Sequence, residues 1–370
     1  MPLTAPHAPT EQPRILQTRS GLRVAWSTLP SEDHPDSNED AELIDTVLDL
    51  VAVFDGVGGY EGGEVASRLA RDAVLATWRE RASAAQDLAA QRVVMRDSIL
   101  AADQKVREVV DRQPELTGMA TTAVAARLWE APDHRRLVIH GHVGDSRLYV
   151  LRERGRLERV TIDDGVLSTH VALGLMSEEE ALEIDQAEQW EDLDDRQKRY
   201  FYQRGLITQA IGGRGEPEVH VGEIEVYAGD RLLVCSDGVH DNLTEREILQ
   251  ILRKAGRRGN SSDALVREAR KRSQRGLNPT LRSKPDDMSA IVVDVLVVPQ
   301  ATPAPRAKKP PTGKGRRTAK TVPAPRRRTT AKTVPAPSSK ASTSGGTPRA
   351  PKAPSTRTSP KARSNQQESK

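Results

Sequence analysis

Apolar residues along the chain fall into two periods. Seven segments, GLRVAWST, VLDLVAVF, ATTAVAARL, RRLVIHGHV, SRLYVLRE, RLLVCS and SAIVVDVLVV, are short, rich in β-branched residues and bounded by turn-forming residues, which predicts strands. Four others carry apolar positions at helical spacing, roughly over 64–85, 87–110, 244–254 and 262–274. Thr244 stands three residues before Glu247, the spacing at which a hydroxyl and a carboxylate cap a helix start reciprocally. Two long helices follow the first strand pair, and later strands succeed one another through short connections. A doubly wound parallel sheet would alternate strand and helix more strictly, so the order predicts an α+β fold of antiparallel sheets with helices packed outside. Segment 163–207 is densely charged with helical spacing, and it is expected to stand as an excursion on the globule.

Composition adds limits. Apolar residues make up 36% of the 370 residues and aromatics only 3%, so Val, Leu, Ile and Ala must supply most of the core. The single cysteine, Cys235, excludes an internal disulfide and a cysteine-rich zinc site. SAIVVDVLVV is too short to span a bilayer and contains Asp294, and no N-terminal stretch has the pattern of a signal peptide. The expectation is a cytoplasmic protein without a transmembrane segment.

Charge divides the chain. Residues 300–370 hold nine Lys and nine Arg against the single acid Glu368, a net of +17, which leaves −13 on residues 1–299 out of the total of +4. This stretch is rich in Pro, Ala, Ser and Thr and repeats AKTVPAP at 319–325 and 331–337. Such composition buries too little apolar surface to offset chain entropy, so a disordered tail is expected, with a loose leader at 1–13 and one domain over 14–299. A basic tail can bind nucleic acid or another acidic surface through counterion release, or it can serve as a solvated linker. Without an aromatic residue for stacking, any binding to nucleic acid is expected to be non-specific.

The chemistry lies in carboxylates at strand ends. VFDGVGG places Asp55 directly after an apolar strand, with glycines crowded behind it. Alone this is a turn; its interest comes from the company it keeps. NEDAE contributes Glu39 and Asp40, HVGDSRLYV contributes Asp145, LLVCSDGVHDNLT contributes Asp237 and Asp241, and KPDDMSAIVV contributes Asp286 and Asp287. Acids gathered in a partly buried site repel one another and raise each other's pKa unless a cation joins them. The donors are hard oxygens with no Cys or His at ligand spacing, which favours Mn²⁺ or Mg²⁺ over zinc.

In order, NEDA, VFDGVGG, MATTAVAA, GHVGDSRLYV, CSDGVHDNLT and DDMSAIVV resemble the successive motifs of the metal-dependent serine/threonine phosphatases of type 2C, in their bacterial form, over about residues 20–298. The resemblance implies a four-layer α-β-β-α sandwich with the metals in a cleft at one end. It implies that Asp55 bridges two metals, that the Gly56 carbonyl binds one of them, and that Asp237 and Asp286 bind the other. Glu39 and Asp40 match acids that hold metal-bound waters, and Asp145 and Asp241, with Asp237, match a third, weaker metal site. A metal-bridging hydroxide would then attack phosphorus directly, without a phosphoenzyme. In agreement, Cys235 lacks the arginine six residues later that a cysteine-dependent phosphatase needs; Asp241 stands there.

The chain departs from that pattern in three places. Pro35 occupies the position of the arginine that grips the substrate phosphate, leaving His34 and Arg23 as weak candidates to replace it. Val57 stands where many relatives have a histidine general acid, and Asp163-Asp164-Gly165 where Asp-His-Ser is usual. Arg147 is expected to pair with a neighbouring acid rather than with substrate. The function implied is hydrolysis of phosphoserine and phosphothreonine on proteins, opposing a cognate kinase; the alternative is a weak or inactive phosphatase-like module that binds phosphoproteins, tethered by its tail.

Overall fold

The computed structural model describes residues 14–297 apart from 19, 58–61, 154, 257–258 and 275–280, all in the first of two units, Met1–Thr302 and Pro303–Lys370. The leader 1–13, the tail 300–370, and Gly58 and Gly59 of VFDGVGG lie outside the described residues.

Strands β1 (Arg14–Gln17), β2 (Leu22–Leu29), β3 (Ala41–Asp45), β4 (Leu50–Phe54) and β5 (Gly56–Val57) come first, followed by helices α1 (Gly62–Arg81) and α2 (Leu88–Arg112). Then come β6 (Ala120–Thr121), β7 (Ala123–Glu130), β8 (Arg136–Val143), β9 (Arg147–Leu151) and β10 (Leu157–Arg159). Three short helices fill the charged excursion: α3 (Val166–Ala172), α4 (Glu178–Gln186) and α5 (Asp195–Gln203). The chain continues through β11 (His220–Glu225), β12 (Arg231–Cys235), α6 (Asp237–His240), α7 (Glu245–Lys254), α8 (Ser261–Ser273) and β13 (Met288–Val295).

All strand pairs are antiparallel, as the order of elements predicts. One sheet runs β1-β2-β13-β12-β9-β10, the other β11-β8-β7-β4-β3, and β5 with β6 forms a small ribbon at the end of the second. The side-chain period of two divides each central strand between two cores. In β4, Val51 and Val53 enter the core between the sheets, where they meet Ile291 and Val293 of β13, while Ala52 and Phe54 face α1 and α2. On the far side, Leu233, Ala290 and Val292 pack against Val239, Ile248, Leu265 and Ala269 of α6, α7 and α8. The result is the expected four-layer α-β-β-α sandwich. Helix α2 approaches β8 closely at Gly141, where a Cβ would stand 2.7 Å from the Met95 side chain.

The predicted cap forms: Thr244 accepts from the Glu247 amide at 3.3 Å while the Glu247 carboxylate accepts from the Thr244 amide at 2.9 Å. The excursion has its own small core of Met176, Ile184, Ala187, Leu193 and Phe201, closed by Leu281. Buried Arg282 fastens it, donating to the carbonyls of Asp185 and Ala187 on one side and of His240 and Leu243 on the other. No helix among the described residues is long and apolar enough to cross a membrane.

His140 on β8 is buried, and burial, aided by the positive charges of His142 and Arg92, pushes it down to about 4. The folded chain therefore keeps it neutral while the unfolded chain protonates near 6.5. Stability is expected to fall as pH drops from about 6.5 toward about 4, by up to about 3 kcal/mol from this residue alone. Urea unfolding at pH 7 and pH 4.5 checks this; a His140→Gln variant with the same pH slope as the parent would refute it.

Candidate metal and phosphoryl site

The strand-end acids gather at one end of the sandwich around a cavity of about 150 Å³. Asp55, Gly56, Val57, Thr122, Asp145, Asp237, Lys284 and Asp286 line it, and Gly205 and Ile207 of the excursion reach it from above. The four lining acids arrive from different parts of the chain. Asp55 ends β4, and its backbone is clamped: its amide donates to the Thr122 hydroxyl at 3.1 Å, and its carbonyl accepts from the Thr122 amide at 2.8 Å and the Thr121 hydroxyl at 2.9 Å. Asp145 follows Gly144, whose φ of 95° lies in the left-handed region that favours glycine. Asp237 opens α6, Asp241 follows one turn later, and Asp286 precedes β13.

Gly56 is required by close packing. A Cβ there would strike the Gly63 carbonyl and stand 2.6 Å from the Glu39 carbonyl, so three backbone segments meet where only glycine fits. Glu39 lies against Gly63 at the start of α1, and Asp40, deeper, accepts a hydrogen bond from the Ser236 hydroxyl at 2.7 Å.

The electrostatics match this crowding. Burial, reinforced by Asp40, Asp237 and Asp286, raises the Asp55 carboxyl well above its ordinary range. Burial and then Asp237 do the same for Asp145, and they push Asp286 up to about 7. Burial and Asp287 raise Asp40 and Glu39. Asp237 and Asp241 go the other way: their burial is outweighed for Asp237 by Lys284 and for Asp241 by Arg204 and Lys284. The Lys284 ammonium bonds Asp237 and stands 2.9 Å from Asp286 and 3.2 Å from Asp241. Among the described residues, no three acidic, histidine or cysteine side chains are placed as a metal cage as they stand. The donors nevertheless suit a hard cation: all are oxygens, and Oδ1 of Asp40 and Oδ1 of Asp237 are buried without a hydrogen-bond partner.

The weak candidates for the missing arginine have other partners. Arg23 bonds Asp294 at 3.1 Å and the Gly259 carbonyl at 3.0 Å, and His34 pairs with the Ser37 carbonyl at 3.1 Å beside Asp287. Arg147 pairs with acids, as expected: its guanidinium meets Asp163 at 2.5 Å and Asp185 at 2.9 Å. Asp164 of the same stretch accepts from the Gly144 amide at 2.8 Å and lies 2.8 Å from His220. Val57 brings no titratable group to the cavity, and burial pushes the Cys235 thiol up to about 12, far from a nucleophile.

Lys284 and the supporting role of Asp287 were missed by the motif reading. Asp287 accepts from the amides of Ser31 and Glu39, each at 2.6 Å, and so ties the loop that carries Glu39 to the start of β13. The lysine's place two residues before Asp286 was the available signal.

A profile of the protein phosphatase 2C family matches residues 36–268. The chain is 32% identical over 248 residues to the serine/threonine protein phosphatase PstP of Mycobacterium tuberculosis, covering 67% of this chain and 40% of that protein. It thus spans well under half the length of that relative. Over 222 residues, 60% of this chain and 78% of the relative, it is 26% identical to the serine/threonine phosphatase stp of Listeria monocytogenes. A crystal structure of the PstP catalytic domain in complex with two manganese ions superposes with a TM-score of 0.55 at 27% identity, covering 75% of this chain and 99% of that one. From the profile match over more than half of its length, together with the shared sandwich, the chain belongs to the protein phosphatase 2C family.

Proposed function

We propose that this chain hydrolyses phosphoserine and phosphothreonine on proteins with Mn²⁺ or Mg²⁺, opposing a protein kinase, and that residues 14–299 carry the activity. The observation that supports it most is the excess of carboxylate around one cavity: buried Asp55, Asp145 and Asp237 and partly buried Asp286 line it with a single ammonium among them. Like charges so placed are costly unless a multivalent cation joins them. The PstP catalytic domain, whose crystals hold two manganese ions, supports the choice of metal.

Asp55, the Gly56 carbonyl, Asp237 and Asp286 would hold two ions, Glu39 and Asp40 would hold their waters, and Asp145 and Asp241 would complete a third, weaker site. When bound, the ions supply the positive charge that stabilises phosphoryl oxygens and activates water. The chain supplies position. Thr121 and Thr122 fix the Asp55 backbone, Ser236 orients Asp40, and Gly205 and Ile207 narrow the mouth of the cavity. With Val57 in the wall, the leaving oxygen takes its proton from water or from an acid outside the lining.

The test is phosphate release from a phosphothreonine peptide by the full chain with Mn²⁺, with Mg²⁺ and with chelator. Metal-dependent turnover is expected. A folded chain that binds Mn²⁺ and phosphopeptide without turnover would instead favour the phosphoprotein-binding module suggested by Pro35.

A further inference from the structure

Among the residues lining the cavity, Lys284 is the basic one, and the function proposed above gives it nothing to do. Its backbone is fixed: the amide donates to the Asn242 side-chain oxygen at 3.0 Å and the carbonyl accepts from the Asn242 amide group at 2.9 Å. Its ammonium is held by Asp237, Asp286 and Asp241, but the side chain is not enclosed. It is 36% exposed, so the four-carbon stem has room to turn while its root stays in place. The ammonium now sits where three carboxylates converge, the position that a divalent ion would claim with twice the charge.

The other nearby cations are committed. Arg204 stacks over Phe201 at 3.9 Å, lies 3.5 Å from Asp241 and is largely buried. Arg147 is enclosed by Asp163 and Asp185, and Arg282 is spent on backbone carbonyls. Arg23 and His34 have the partners described above.

Building on the phosphatase reading, we propose that Lys284 is an exchangeable cation: it closes the carboxylate cluster in the metal-free chain, yields Asp237 and Asp286 to the divalent metal, and then offers its ammonium to the substrate's phosphoryl group in place of the arginine absent at Pro35. Exchange is favoured in this direction because the incoming ions repel the ammonium into the same cavity where an anionic phosphoryl group must be neutralised. Lysine suits the task as a compact charge on a flexible stem with three donors, whereas a guanidinium would hold its carboxylates bidentately and leave them less readily.

The full chain and its Lys284→Gln and Lys284→Arg variants decide this through two binding measurements that need no turnover. Calorimetric titration with Mn²⁺ should show Lys284→Gln binding the metal roughly tenfold more tightly than the parent, because its competitor is gone. Titration of the Mn²⁺-loaded chains with inorganic phosphate should show Lys284→Gln binding roughly tenfold more weakly, with Lys284→Arg restoring most of the affinity. In kinetics the loss should appear in KM more than in kcat. Unchanged or weaker Mn²⁺ binding in Lys284→Gln overturns the exchange, and unchanged phosphate binding overturns the phosphoryl contact. If Lys284→Gln does not fold, Lys284→Met, which keeps the stem, takes its place. A parent chain that releases no phosphate from peptide would sink the phosphatase function, while the two titrations would still decide the role of Lys284.

Discussion

Replacing Asp55 by Asn is expected to reduce metal-dependent phosphate release by more than roughly 100-fold while leaving the metal-free chain as stable as before, or more stable by about 1 kcal/mol. Both halves follow from one geometry. The Asp55 backbone is held by three hydrogen bonds with Thr121 and Thr122 that do not involve its side chain, so an isosteric amide keeps the local fold. The carboxylate itself contributes repulsion: burial, Asp40, Asp237 and Asp286 all disfavour its charge. Removing that charge relieves the metal-free site by an amount on the scale of one pKa unit, 1.4 kcal/mol. Activity should suffer more than from loss of an outer partner of a metal ligand, which typically costs 10–100-fold in metal affinity or activity. Thermal melting in chelator, beside a phosphopeptide assay in Mn²⁺, makes the comparison. A variant that melts lower and keeps its turnover would assign Asp55 to the fold instead of the chemistry.

Arg282→Ala is expected to cost about 3–5 kcal/mol and to free the excursion over the cavity, the largest stability effect anticipated for one side chain here. The guanidinium is fully buried, and burial with the charge of Arg204 pushes it down to about 10, which still leaves it charged at neutral pH. It joins the carbonyls at the end of α4 to those at the end of α6 in a place closed to solvent. Truncation would strand four acceptors and leave Asp185 with one cation fewer. Urea unfolding should show the lower stability, and limited proteolysis should show faster cleavage within 163–207, neither recovered by added Mn²⁺. A loss below about 1 kcal/mol would mean that the carbonyls find other partners and that the excursion is held by its apolar core.

The elements legible in the sequence and those missed differ in a physical way. The central strands were found, because β4, β12 and β13 are buried on both faces and read as unbroken β-branched runs. The four sheet edges, β1 and β10 in one sheet and β3 and β11 in the other, were missed. Edges are exposed along one side, and β11, HVGEIE, is partly exposed at every residue, so its polar composition carries no strand signal. Helix α6 was missed for a different reason: four residues are too few to show a period, and Asp237 reads as a strand end although it opens a helical turn.

The acids themselves were visible as short strand-end motifs, since a carboxylate beside glycine is a local pattern. Residue pattern and composition alone were therefore enough to give the antiparallel α+β class, the strand-end acids and the contrast in charge between residues 1–299 and 300–370. Their convergence belongs to tertiary structure, because Asp55, Asp145, Asp237 and Asp286 come from segments far apart in the chain that only sheet register brings to one cavity. Which cation sits among them, which arginine ties the excursion down, and where Arg23 and His34 are engaged were likewise settled by the fold. Charge pairing depends on distance through space and on burial, and neither quantity is written in the order of residues.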